Sequence, residues 1–185
     1  YNVNELKRLG AKEILFQYQA FEKDCHKPYN DCSEFHWDVS FIGSFEEERF
    51  ESIKFLARNG IKINIWGQTW AFLANKNENI IFMGDELYDE EYAKIFTCSK
   101  ISLNFLRKKN RDLHTSRSIE IPACKGFMIA ERTDEHKLLF TENEEAVYFS
   151  DNKELLDKVS YYLVHLDERN KIADAGYIRC IKSDY

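Results

Sequence analysis

A strand, helix, strand unit in the first half of the chain limits its fold more than any other stretch. Asp38-Val-Ser-Phe-Ile is a short apolar run that enters Gly43-Ser44, and Glu46, Glu47 and Glu48 then occupy what reads as a first helical turn. Acids are stabilised there by the positive end of the helix dipole. Phe50, Ile53, Leu56 and Ala57 give that helix one apolar face, and Asn59-Gly60 stops it. A second apolar run over residues 61–66 ends on Gly67. Two strands joined by a helix within about thirty residues imply a right-handed parallel crossover, because parallel strands need a long connection.

The same alternation continues downstream. Residues 79–83 read as a strand closed by Gly84, and residues 88–97 as a helix with early acids and Tyr92, Ala93, Ile95 and Phe96 turned inward. Further strands are expected over 101–105, 126–130 and 146–149, and helices over 153–166 and from 167 to about 180. Strands alternating with helices predict an α/β fold with a doubly wound, mostly parallel sheet. Ligands of such sheets bind beyond the carboxyl ends of the strands. Gly43-Ser44, Gly67, Gly84 and Asn104 all lie at such ends. Ahead of this region, Val3, Leu6 and Leu9 repeat toward Gly10 as a short helix, residues 13–21 read as a strand, and residues 22–37 turn polar around Pro28. The chain therefore divides into residues 1–37, a helix, strand and linker, and residues 38–185, a ligand-binding domain.

Composition narrows the function. With 185 residues and 44% hydrophobic content the chain can fill a core. Its net charge of −6 argues against a general nucleic-acid surface, while leaving room for a local basic pocket. No apolar run reaches the ~18 residues of a transmembrane segment, and the first residues resemble no signal peptide. Five widely scattered cysteines fit reduced thiols and a cytoplasmic location better than a disulfide framework. Cys25, His26, Cys32 and His36 can be drawn as four zinc ligands, but they lack the close cysteine spacing of a finger or knuckle, so no metal is expected.

The stretch over residues 110–135 holds the candidate chemistry. Asp112 and Glu120 stand eight apart with Arg117 between them, and Thr115 or Ser116 is the natural N-cap of a helix that follows. Arginine in a first turn opposes the macrodipole, so a bound anion explains Arg117 better than helix stability does. Arg117 and Glu120 are three apart and share a helical face, so an ordinary surface ion pair is the competing reading. No Gly-x-Gly-x-x-Gly, no phosphate loop ending in Gly-Lys-Ser/Thr, no Gly-x-Ser-x-Gly elbow and no Asp-x-Asp pair occurs.

Taken together, several motifs resemble the CgeB-like glycosyltransferases: Asp38-Val-Ser-Phe-Ile-Gly43-Ser44, Ile65-Trp66-Gly67, Ile101-Ser-Leu-Asn-Phe105, Arg111-Asp-Leu-His-Thr-Ser-Arg-Ser-Ile-Glu120, Gly126-Phe-Met-Ile-Ala-Glu131 and Glu145-Ala-Val-Tyr-Phe-Ser-Asp151. That group is related to the retaining transferases of the GT-B fold, in which one Rossmann-like domain binds the acceptor and a second binds the nucleotide-sugar donor. The resemblance implies that this chain is the donor-binding C-terminal half, with residues 1–37 as the tail of a missing N-terminal acceptor domain. Related enzymes carry two glutamates eight apart. Their counterparts here are Asp112, on the sugar hydroxyls, and Glu120, on the ribose hydroxyls; the first has become aspartate. Arg117 is expected on the diphosphate, and with Asp112 it forms the expected catalytic pair. Gly43, Ser44, Arg49, Asn104, His114, Thr115 and Glu135 complete the expected donor-binding set. The implied reaction moves a sugar from a nucleotide-sugar to a hydroxyl of a saccharide, protein or other acceptor, with retention and without metal or cofactor. The isolated half would bind donor yet transfer little, because its cleft cannot close. The alternative is a non-catalytic nucleotide- or partner-binding module that keeps the same fold.

Overall fold

In a computed structural model that describes residues 2–15, 17–29, 32, 36–73 and 77–183, the described residues form one parallel sheet of six strands. The strands are β1 (Trp37–Ile42), β2 (Ile63–Trp66), β3 (Ile80–Gly84), β4 (Ser99–Asn104), β5 (Met128–Glu131) and β6 (Val147–Phe149). Their spatial order is β3-β2-β1-β4-β5-β6. The chain builds outward from β1 in one direction, returns, and builds outward from β4 in the other. β1 pairs with both β2 (Val39 to Ile63) and β4 (Val39 to Ile101), so the order reverses at the β1/β4 junction. That reversal leaves a crevice beyond the carboxyl ends of β1 and β4, where the loops diverge to opposite faces.

The helices are α1 (Asn2–Arg8), α2 (Glu47–Arg58), α3 (Asp89–Thr97), α4 (Arg117–Ala123), α5 (Asp134–Leu139), α6 (Asn152–Val164) and α7 (Leu166–Lys182). Strands buried on both faces need a core on each side, and the alternation of side chains along each strand supplies both. Val39 and Phe41 of β1 point into one core with Ile53 and Leu56 of α2 and Val159 of α6. Ile42 of β1 and Trp66 of β2 point into the other with Ala93 and Phe96 of α3 and Ile119 and Ile121 of α4. Each buried Val, Leu, Ile or Phe side chain among these contributes roughly 1.5–3 kcal/mol.

Two expectations are corrected. Residues 13–21, read as a strand, pair with nothing in the sheet among the described residues. Tyr18 and Phe21 instead pack on the second core as part of a strap without regular structure, joined by Tyr29 further along. Cys32 and Cys98 are paired as a disulfide across 66 residues of sequence, so the reading of five reduced thiols fails and cysteine usage no longer argues for a compartment. Only the fold brings these two together: Cys98 ends α3, and its carbonyl accepts the backbone N–H of His36 at 2.9 Å. The four residues drawn above as zinc ligands, and set aside on their spacing, fall into two places. Cys32 and His36 lie with Cys98, their ligand atoms within 4.8 Å of one another, while Cys25 and His26 belong to a separate turn. Among the described residues no helix is long and apolar enough to cross a membrane.

Candidate donor-binding site

The loop after β1 forms the floor of the crevice, and Gly67 and Trp70 hold it in place. Gly67 follows β2 with φ +135°, and a Cβ there would stand 2.2 Å from the Gly43 carbonyl oxygen. The same carbonyl accepts the indole N–H of the fully buried Trp70 at 2.7 Å, and the Gly43 N–H donates to the Trp66 carbonyl at 2.9 Å. Gly67→Ala forces backbone against backbone in a conformation that L side chains rarely adopt. It should lower the unfolding free energy by at least the ~1–3 kcal/mol of an overpacked core, read as a lower urea midpoint at unchanged m-value.

Arg117, expected on the diphosphate, and Arg49, expected in the donor-binding set, serve different ends in the structure. Arg49 is buried within α2, and each nitrogen of its guanidinium donates to a carbonyl: Nε to Leu106 at 3.2 Å, one terminal nitrogen to Ser44 at 2.9 Å, the other to Phe105 at 3.3 Å. It ties the loop after β1 to the loop after β4. Burial lowers its pKa, and the charges of Arg117 and Arg107 add to that effect while Glu46 opposes it. Arg117 opens α4 and has no hydrogen-bond or ion-pair partner among the described residues, although its Nε is buried. The surface Arg117/Glu120 pair does not form.

Arg117 lies on the seam between two adjoining clefts. One, of about 210 Å³, runs past Gly43, Ser44, Gly67, Leu87 and Tyr92. The other, of about 290 Å³, is lined by Ser44, Arg49, Arg107, Asp112, His114 and Thr115. In the second cleft three arginines face one carboxylate, and because Arg49 spends its donors on carbonyls, Arg117 and Arg107 are the ones left to meet an anion. Arg107 donates from Nε to the buried Glu46 at 3.0 Å, which leaves its terminal nitrogens toward solvent and the cleft.

The remaining candidates divide into wall and ligand positions. Asn104 is fully buried and lines neither cleft: its amide donates to Ser118 Oγ at 3.0 Å, and its carbonyl oxygen accepts from Thr115 Oγ1 at 3.1 Å. Thr115 borders the cleft, but its hydroxyl points inward to Asn104 and its backbone N–H donates to Ser118 Oγ at 3.0 Å. Ser118 Oγ already accepts twice, so its own hydrogen goes to His136 Nε2 at 2.8 Å, and His136 Nδ1–H donates to the Glu131 carbonyl at 2.6 Å. Burial lowers the His136 pKa to about 4, so this ring is neutral at physiological pH. Asn104 and Thr115 thus position the start of α4. The N-cap place falls to Ser116, whose side chain does not cap.

Asp112 reaches the cleft from a turn in which Arg111 has φ +58°. His114 borders the cleft and pairs through Nδ1 with Glu135 Oε2 at 2.6 Å, so these two candidates meet. Glu120 accepts the Tyr92 hydroxyl on Oε2 at 2.5 Å, and His26 Nε2 lies 3.9 Å from Oε1. Tyr92, His26 and Arg107 were not anticipated. They come from α3, the strap and the loop after β4, and no motif links them in sequence.

The 3-2-1-4-5-6 sheet, with its crevice beyond β1 and β4, has the architecture of the C-terminal domains of the GT-B class. The model of the glycosyl transferase-like family matches residues 49–185, and the chain belongs to that family. By sequence alone, no curated protein matches the chain. Among solved structures, the C-terminal domain of the group 1 glycosyl transferase LpcC from Francisella tularensis superposes with a TM-score of 0.69 at 13% identity, covering 89% of this chain and 98% of that one. Sucrose-phosphate synthase from Thermosynechococcus elongatus superposes with a TM-score of 0.73 at 14% identity, covering 97% of this chain and 51% of that one. HepE from Anabaena, in complex with UDP-glucose, superposes with a TM-score of 0.69 at 10% identity, covering 88% and 51%. The chain therefore spans about half the length of the two larger proteins and matches the fold of C-terminal GT-B domains.

Proposed function

We propose that this chain is the donor-binding half of a CgeB-like glycosyltransferase that moves a sugar from a nucleotide-sugar to an acceptor hydroxyl. The observation that carries the reading is the unpaired guanidinium of Arg117 on the seam between the two clefts. A diphosphate placed at that seam extends its nucleoside along Gly67, Leu87 and Tyr92, with Glu120 on the ribose, and its sugar toward Asp112 and His114. As the glycosidic bond breaks, negative charge grows on the leaving diphosphate. Arg117 and Arg107 meet that charge without reorganising, which is how a preorganised site lowers a barrier. The cationic donor set supports a metal-independent reaction, and the resemblance supports retention. Residues 1–37 then continue from an acceptor domain that faces this one. The fold shared with HepE, which was captured with UDP-glucose, supports a nucleotide-sugar as donor.

A ligand that binds only the folded state stabilises it by mass action, by about 2.7 kcal/mol at a concentration of 100 Kd. UDP, GDP, ADP and CDP at millimolar levels are the screen, and at least one should raise Tm while its free nucleoside does not. Unchanged Tm with all four contradicts the assignment. The non-catalytic alternative is separated by product analysis in a chain that includes the acceptor domain: transfer abolished by Glu120→Ala rules it out.

A further inference from the structure

We propose that the strap ahead of the sheet enters the nucleoside subsite: His26 and Tyr92 are a positioning pair that sets the Glu120 carboxylate for a vicinal diol, the 2′- and 3′-hydroxyls of a ribose, and so selects ribonucleotides over deoxyribonucleotides. The inference rests on the donor-binding reading above, and it places part of the site outside residues 49–185 that match the family.

The hydrogen-bond pattern determines where each proton sits. The backbone N–H of Glu22 donates to His26 Nδ1 at 3.0 Å. A neutral ring with Nδ1 accepting carries its proton on Nε2. That nitrogen faces Glu120 Oε1 at 3.9 Å, beyond direct hydrogen-bond reach but close enough for one hydroxyl to bridge. On the other side of the carboxylate, Tyr92 donates to Oε2 at 2.5 Å. Tyr92 is partly buried, and the loss of solvent around its phenol is the chief cause that pushes its pKa up, so it keeps its proton and acts as a donor. The two rings meet edge-on at 5.9 Å, and Tyr92 stacks edge-on against Phe96 at 4.8 Å, which limits the rotation of both.

Glu120 is therefore approached on both oxygens and keeps lone pairs on each. A carboxylate accepts up to about four hydrogen bonds, enough for both hydroxyls of a diol beside the Tyr92 bond. Removing the 2′-hydroxyl leaves a half-buried acceptor unmatched, and sites built around a hydroxyl discriminate strongly against its absence. The strap is seated firmly enough to do this. Tyr18, Phe21 and Tyr29 pack on the core that contains Ile119 and Ile121 of α4, the helix that bears Glu120, and Tyr18 lies 5.5 Å from His114.

The test compares UDP, GDP, ADP and CDP, each with its 2′-deoxy form, by calorimetric titration of the full chain and of His26→Ala, His26→Gln and Tyr92→Phe. The wild type should prefer the ribonucleotide by about tenfold. His26→Ala and Tyr92→Phe should each reduce that preference to about two- to threefold, and His26→Gln, which retains an N–H donor, should restore most of it. A residue that merely packs would weaken both ligands alike and leave the ratio unchanged. Equal binding of ribo and deoxy forms by the wild type overturns this inference while the diphosphate site stands. A full tenfold ratio in the folded His26→Ala and Tyr92→Phe proteins overturns it as well. Binding of none of these nucleotides overturns the donor reading and this inference together.

Discussion

Replacing Arg117 with alanine weakens nucleoside-diphosphate binding by about 100-fold and leaves the folded protein as stable as before. Each hydrogen bond to a charged group contributes roughly 1.5–3 kcal/mol, and a bidentate guanidinium makes two, so a loss of about 3 kcal/mol or 100-fold in Kd is expected. Stability is spared for a reason particular to this side chain. Arg117 has no hydrogen-bond or ion-pair partner among the described residues, and its charge lies close enough to Arg49 to lower that residue's pKa. Its removal thus breaks no bond and relieves a repulsion. Arg117→Lys keeps the charge but loses the fork, and about tenfold weaker binding is expected. Titration calorimetry with the nucleoside diphosphate that raises Tm most, alongside urea unfolding, checks both halves. Loss of stability in Arg117→Ala without loss of affinity would make Arg117 a structural residue.

Acidification from pH 6.5 to 4 removes about 3 kcal/mol of stability through His136 alone. Burial lowers its pKa from the ordinary 6.5 to about 4, against the opposing bond to the Glu131 carbonyl. A base whose folded pKa is depressed contributes stability that is complete above the unfolded value, here above pH 6.5, and is lost as pH falls toward the folded value near 4. The interval between the two corresponds to about 3 kcal/mol. Protonation also places a hydrogen on Nε2, where Ser118 now donates, so Ser118 must turn away. Ser118 in turn anchors the Thr115 N–H and the Asn104 amide, and the start of α4 loosens with it. Glu131 works in the opposite sense, since burial raises its carboxyl pKa and acid favours its folded form. The difference between wild type and His136→Gln isolates the histidine. The wild type should lose about 3 kcal/mol more than the variant between pH 6.5 and 4, and parallel curves would contradict the assignment.

Much of this architecture is legible in the sequence because local and global signals agree. The acids at the start of α2, its single apolar face and the glycines that follow β1 and β2 and end β3 all mark where strands stop and the chain turns away from the sheet. Arg117 is legible for the opposite reason: it breaks a local rule, and a first-turn arginine needs an anion to explain it. Arg49 obeys no such rule, and only the fold shows that three backbone carbonyls surround it. Asn104 sits at a strand end, where ligands bind, yet the turn of β4 aims its amide at Ser118 instead. Residues 13–21 have the alternation of a strand without a strand edge to meet, and period alone does not distinguish a ladder from a strap packed on a core. Tyr92, His26 and the Cys32–Cys98 pair depend on contacts spanning 28, 94 and 66 residues, which no local pattern encodes. α5 is too short to show a periodic face, although the Thr133 hydroxyl that accepts the His136 N–H at 3.0 Å is a legible cap.

The most direct test of the central claim follows the Nε–H resonance of Arg117 by ¹⁵N–¹H correlation spectroscopy during titration with a nucleoside diphosphate. The account predicts that this resonance moves and saturates with the calorimetric Kd, while the Nε–H of Arg169, whose guanidinium is buried against the Tyr162 carbonyl at the start of α7, stays in place. A diphosphate that binds while the Arg117 resonance remains still would contradict it.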